Sequence, residues 1–121
     1  MQIGMVGCGR FAESHLQAYR AVPTAQVAAL YDIDRGRAAA LAARFGVPTV
    51  CASLEELCRL SNLQAIDVVA SEAAHCQAVL EGVNAGKHVF VEKPLAASLD
   101  ECDAMIAAAR AARRYLMVGH V

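Results

Sequence analysis

Charge of either sign is scarce in this chain: charged residues are 19% of its 121 positions, 11 basic against 12 acidic, for a net charge of -1. With no lysine or arginine cluster there is no long-range field to gather phosphate polymers or anionic lipid, so neither nucleic acid nor a membrane surface is expected as a partner. No apolar run approaches the roughly 20 residues that span a bilayer. Met1-Gln2-Ile3-Gly4 also lacks the basic stretch that opens a signal peptide, so the expected location is cytoplasmic. Disulfide and zinc frameworks are missing too. Cys8, Cys51, Cys58, Cys76 and Cys102 are odd in number and never spaced C-x-x-C, and they read as reduced, buried thiols. His75 and Cys76 are neighbours that would project about 100° apart on a helix, with no second pair at ligand spacing, so no metal ligand is assigned. Internal repeats, low-complexity linkers and proline- or serine-rich boundaries are likewise absent.

What is present is apolar. Hydrophobic residues make up 57% of a 12.8 kDa chain, which excludes intrinsic disorder and suffices for one domain with a core of its own. Short β-branched or apolar runs alternate with alanine-rich segments of helical period. Strands are expected over residues 2–6, 26–31, 48–51, 65–70, 88–91 and 115–119. These runs are short and continuously hydrophobic, as suits a parallel sheet covered on both faces. The fold class is therefore α/β: a doubly wound, mainly parallel six-stranded sheet with helices on both faces, in the expected order 3-2-1-4-5-6.

Helix signals agree. Asp34 can cap a helix that stops at Gly46 before Pro48. Ser53-Leu54-Glu55-Glu56 and Ser98-Leu99-Asp100-Glu101 have the S-x-x-E capping form. Leu99, Cys102, Ile106 and Ala109 would form the apolar stripe of the last helix, with Arg110, Arg113 and Arg114 near its C-terminus. Residues 115–121 read as a core strand at the very end of the sequence. The expectation is that 1–121 are the first domain of a longer protein.

Chemistry enters at Gly7-Cys8-Gly9-Arg10-Phe11-Ala12, a G-x-G-x-x-G/A run that follows the first strand and opens a helix. Gly7 permits a tight turn, Gly9 lets backbone approach a pyrophosphate, and Ala12 lets helix and strand pack closely. The anion would sit where the first-turn N–H groups and the helix dipole meet it. Asp32 ends the second strand 20 residues after Ala12, at the position of an acid that accepts hydrogen bonds from an adenosine ribose. The order strand, turn, helix, strand, acid points to a dinucleotide. A carboxylate there repels a 2′-phosphate, favouring NAD over NADP, although Arg35 and Arg37 lie close enough in sequence to blunt the preference. Arg10 is placed to reach phosphate or adenine.

Two more segments end at the carboxyl edge of the sheet: Ser71-Glu72-Ala73-Ala74-His75, and Glu92-Lys93-Pro94. Together with the glycine run, His15, Asp32 and Ile66-Asp67-Val68-Val69, the stretch Ala85-Gly86-Lys87-His88-Val89-Phe90-Val91-Glu92-Lys93-Pro94-Leu95 resembles the Gfo/Idh/MocA oxidoreductases, over nearly the whole chain. That resemblance implies the NAD(P)-binding Rossmann domain of a sugar, inositol or related polyol dehydrogenase. It places Lys93 beside nicotinamide and substrate as the catalytic residue, with Glu92 orienting Lys93 or touching cofactor. It also implies cofactor contacts from the Ser71–His75 loop, and frequently a cis peptide before Pro94. Further catalytic groups and most substrate contacts would belong to a second α/β domain, through which related enzymes mainly assemble, so a homo-oligomer is also open. His15, on a face with Ala12, Leu16 and Tyr19, reads as a packed core histidine. A non-catalytic NAD(H)-sensing domain is the alternative, and an S-adenosylmethionine-dependent methyltransferase a third class that leaves Lys93 without a role.

Overall fold

The computed structural model describes residues 1–121 and consists of β1 (Gln2–Val6), α1 (Arg10–Arg20), β2 (Gln26–Tyr31), α2 (Arg35–Phe45), β3 (Thr49–Val50), α3 (Leu54–Arg59), β4 (Ala65–Val68), α4 (Glu72–Asn84), β5 (His88–Glu92), α5 (Leu99–Ala112) and β6 (Leu116–Gly119). All six strands are parallel, in the order β3-β2-β1-β4-β5-β6. Side-chain alternation along each strand divides the core into two layers. Ile3, Met5 and Leu30 meet Ala12, Leu16, Ala38 and Leu41 of α1 and α2. Val6, Ile66, Val68, Val89 and Val91 meet Leu57, Val79, Val83 and Met105 of α3, α4 and α5. No helix is long and apolar enough to cross a membrane.

The helix ends follow from local chemistry. Asp34 accepts from the Arg37 N–H at 3.0 Å, and Gly46 closes α2 with φ 70°. Ser53 and Ser98 accept from the Glu56 and Glu101 N–H groups, while those glutamates reach back to the N–H groups of Ala52 and Ala97. The stripe of α5 differs from expectation. Met105 and Ala109 are its buried residues, whereas Leu99 is 83% exposed. Ile106, in mid-helix, is also 36% exposed: α5 packs chiefly on α4, which covers the line of Met105 and Ala109 rather than that of Leu99 and Ile106. The strands expected at 48–51 and 65–70 are shorter, Thr49–Val50 and Ala65–Val68.

Cover over the sheet is uneven. On the α1/α2 face, Asp67 of β4 is buried beneath α1, Phe90 and Glu92 of β5 are only partly covered, and Met117 of β6 is exposed. The alternation that buries Val89 and Val91 on one side puts these residues on the other. Lys87, in the turn before β5, is buried with its ammonium donating to the Leu60 and Leu63 carbonyls at 2.8 Å each. It ties the end of α3 to the start of β5, a structural use of a charge that needs paired acceptors to be buried.

Candidate functional site

Strand β1 lies between β2 and β4, and its chain continues to one face of the sheet while that of β4 continues to the other. This is the switch point of the topology, where the two diverging loops leave a crevice. Gly7 fills the narrowest part. Its φ is +95°, and a Cβ there would lie 2.6 Å from the Ala70 nitrogen, so glycine is required by the fold itself.

Gly9 is different. It is the N-cap of α1 with φ -79° and ψ -170°, backbone that any residue adopts, and a Cβ there would meet nothing within 4 Å. Neither conformation nor packing within the chain asks for glycine, and Gly9 offers no side chain to cap the first N–H groups of α1. Those donors remain for an anion, and the missing side chain leaves it room to approach.

Asp32 is 8% exposed and turned into the same turn. Its Oδ2 accepts from the Cys8 N–H at 2.7 Å and its Oδ1 from the Asp34 N–H at 2.7 Å. A carboxylate has about four lone-pair sites, so acceptor capacity is left for hydroxyl groups. Arg37 lies 3.9 Å from Oδ2, and no ion pair joins Arg35 to this carboxylate. Burial, followed by the negative Asp32, pushes the Cys8 thiol up to about 12, so it stays protonated and inert. Gly7, Gly9, Asp32 and Ser71 together line one groove of about 380 Å³, with Arg37 and Gln77 also on its wall. Of the other residues singled out by sequence, Ala12 is buried under the turn, Arg10 is exposed, and Phe11, 61% exposed, lines a second cavity with His15 and Phe90.

His75 does not open onto the groove. It is 2% exposed, with Nδ1 2.9 Å from the Pro94 carbonyl and Nε2 3.1 Å from that of Ala70, so its ring bridges the loop after β4 to the turn after β5. That turn contains a cis Lys93–Pro94 peptide, and the Lys93 side chain is exposed. Glu92 points to the α1 side: Oε1 lies 3.2 Å from His15 Nε2, and Oε2 accepts from the Lys93 N–H at 3.2 Å.

His15 is thus no ordinary core histidine. Its Nδ1 lies 2.8 Å from Oδ2 of the fully buried Asp67, an oxygen that also accepts from the Tyr19 hydroxyl at 3.0 Å. The Asp67 hydrogen bond, opposed by desolvation and reinforced by Glu92, raises the His15 pKa. A histidine raised on folding stabilises the fold while protonated. Its contribution is complete below its unfolded value of about 6.5 and is lost as pH rises through the higher folded value. Burial and then the Asp67 charge push the Tyr19 hydroxyl up as well. Sequence reasoning did not connect these groups. The available signal was Asp67 itself, an acid inside an otherwise apolar buried strand.

Comparison with known proteins now decides the family. The model of the Gfo/Idh/MocA oxidoreductases, an oxidoreductase family with an NAD-binding Rossmann fold, matches residues 1–120. The chain belongs to this family. It is 36% identical over 122 residues to an inositol 2-dehydrogenase of Ralstonia nicotianae, covering 98% of this chain and 36% of that protein. Among solved structures, an NAD-binding oxidoreductase from Klebsiella pneumoniae superposes with a TM-score of 0.93 at 29% identity, covering 98% of this chain and 34% of that one. An oxidoreductase from Agrobacterium radiobacter, solved with NAD+, L-tartaric acid and magnesium, superposes with a TM-score of 0.94 at 25% identity over 98% of this chain and 35% of that one. The chain therefore spans about a third of the length of these relatives. As a member of the Gfo/Idh/MocA family it is an NAD-binding oxidoreductase domain, and its open glycine turn fits that cofactor.

Proposed function

We propose that residues 1–121 form the cofactor-binding domain of an NAD-dependent dehydrogenase acting on a secondary alcohol of a sugar, inositol or related polyol. The observation that carries this reading is the bond between Asp32 and the Cys8 N–H, which makes the ribose acceptor and the diphosphate turn one rigid unit. Gly9 and the start of α1 receive the diphosphate, with Gly7 and Ala12 shaping the turn and Arg10 and Phe11 flanking it. Asp32 accepts from the adenosine ribose, and Ser71 lines the path toward the nicotinamide end. When bound, the cofactor supplies a hydride acceptor. Lys93 presents an ammonium at the end of β5 that hydrogen-bonds the reacting hydroxyl and stabilises alkoxide character on its oxygen. Glu92 and His75 hold the Lys93 turn from opposite sides. The remaining acid–base groups and most substrate contacts are assigned to a second domain outside these residues.

Inositol dehydrogenases among the relatives support the substrate class. Preference for NAD follows from the Asp32 carboxylate, tempered by Arg37 at 3.9 Å. Calorimetric titration of the chain with NADH and NADPH is expected to favour NADH. Asp32→Asn, which keeps one acceptor but removes the charge, should narrow that preference about tenfold, the value of one charge-assisted hydrogen bond of roughly 1.4 kcal/mol. Failure of the folded chain to bind either nucleotide would refute the reading.

A further inference from the structure

Four polar groups from three elements meet on the face of the sheet that α1 only partly covers. Asp67 comes from β4, Glu92 from β5, and His15 and Tyr19 from α1. Asp67 is fully buried, and its Oδ1 has no hydrogen-bond partner. Burying a carboxylate so incompletely satisfied is costly unless a positive charge sits against it. The only group placed to supply that charge is His15, whose side chain is 15% exposed and whose two ring nitrogens each face a carboxylate. With an acid at both nitrogens, the ring satisfies both bonds only as a double donor. Its remaining neighbours are the Phe11 and Phe90 rings, which line one cavity with it together with Ser14, Ala18 and Tyr19 of α1. On the side of β6, Gly119 leaves space for the Glu92 carboxylate, since a Cβ there would lie 2.9 Å from Oε1.

We propose that His15 is a positioning residue: by bridging buried Asp67 to Glu92, it fixes the Glu92 carboxylate and through it the backbone of Lys93. The chain of contacts is continuous. Asp67 Oδ2 anchors Nδ1, Nε2 holds Oε1 of Glu92, and Oε2 of the same carboxylate receives the Lys93 N–H. Asp67 is the fixed end, because it lies in a central strand paired on both sides and is additionally held by Tyr19. The clamp makes the placement of Lys93 depend on pH. When His15 loses its proton, one nitrogen stops donating, and Nε2 is the one released because Nδ1 faces the closer, more deeply buried acid. The Glu92 carboxylate is then free to swing, while the turn keeps its strand pairing, its core packing and the His75 contact at Pro94. The functional value of the clamp rests on the assignment of Lys93 to the nicotinamide end.

Two measurements test it, the first independently of that assignment and the second together with it. The first needs no nucleotide: ¹H–¹⁵N NMR of the chain from pH 5.5 to 9.5. The expected result is a His15 midpoint above its ordinary value, with the Lys93 amide shifting at the same midpoint. In Asp67→Asn both midpoints fall together, and in His15→Gln the Lys93 transition disappears. A wild-type Lys93 amide that stays flat through the His15 midpoint overturns the clamp, whether or not the variants fold. So does an unchanged transition in His15→Gln. The second compares NADH with ADP-ribose, which lacks the nicotinamide. His15→Gln is expected to weaken NADH about tenfold, the equivalent of one charge-assisted hydrogen bond, and to leave ADP-ribose unchanged. Equal losses for both ligands, or none, overturn the role of the clamp at the nicotinamide end, and the amide titration then separates a failed clamp from a misplaced Lys93. Absence of binding by the wild-type chain would instead refute the cofactor reading, with the amide titration still deciding the clamp.

Discussion

Replacing Gly7 with alanine is expected to remove about 3–5 kcal/mol of folding stability. Two costs combine. A non-glycine residue held at positive φ stores on the order of 1–3 kcal/mol, and forcing a methyl into filled space costs about as much again. Here the space is filled by main chain rather than by a yielding side chain. The new Cβ would lie 2.6 Å from the nitrogen and 2.7 Å from the Cα of Ala70, and 2.8 Å from the Val69 carbonyl carbon. Relief would require the end of β4 to move away from β1, against the Val69 N–H bond to the Val6 carbonyl at 2.8 Å. A domain of this size typically has 5–15 kcal/mol in hand, so the variant should be marginal. Urea denaturation followed by circular dichroism checks this; a loss below about 1 kcal/mol would mean that the turn is more pliable than its geometry indicates.

Gly9→Val is expected to give the opposite pattern. Valine is a poorer N-cap than glycine, which costs about 1 kcal/mol, but the backbone angles are ordinary and nothing in the chain lies within 4 Å of the added Cβ, so no larger loss of stability is expected. Affinity for NADH, in contrast, should fall about 100-fold or more. The branched side chain stands where the diphosphate approaches α1, displacing it from N–H donors that together contribute at least roughly 3 kcal/mol as charge-assisted bonds. Urea melts and NADH calorimetry on the same sample separate the two effects. Unchanged affinity in a stable Gly9→Val protein would show that the ligand does not use this turn.

The contrast between these glycines marks how far the sequence alone carries. In the sequence both belong to one fingerprint, and nothing distinguishes the one that the chain needs from the one that its ligand needs. The distinction is three-dimensional: Ala70, 63 residues away, is what crowds Gly7. The strands, helix caps and glycine turn were legible because each depends on local chemistry or on the period of the apolar residues, as with Asp34, Gly46, Ser53 and Ser98, and the strand order followed from the doubly wound fold class that their alternation implies. The Asp32 position was legible for the same reason, although its bond to the Cys8 N–H was not. The link from Asp67 through His15 and Glu92 to Lys93 was illegible because His15 lies 52 residues from Asp67 and 77 from Glu92, and the three come together only when β4 and β5 pair and α1 docks on them. The burial of His75 was illegible for a related reason: the residue that covers it, Pro94, arrives from the turn after β5. On α5, the sequence period ran through Leu99 and Ile106, whereas packing against α4 buries Met105 and Ala109.

The placement of the diphosphate at the start of α1 is tested most directly by titrating NAD+ into ¹⁵N-labelled chain and following the backbone amides. The amides of Gly7, Cys8, Gly9, Arg10 and Phe11 should shift together and saturate at one affinity, with Gly46 and Gly86 unmoved. Saturable shifts confined to Ala18 and Phe90, around the second cavity, or no shifts at millimolar NAD+, would contradict the account.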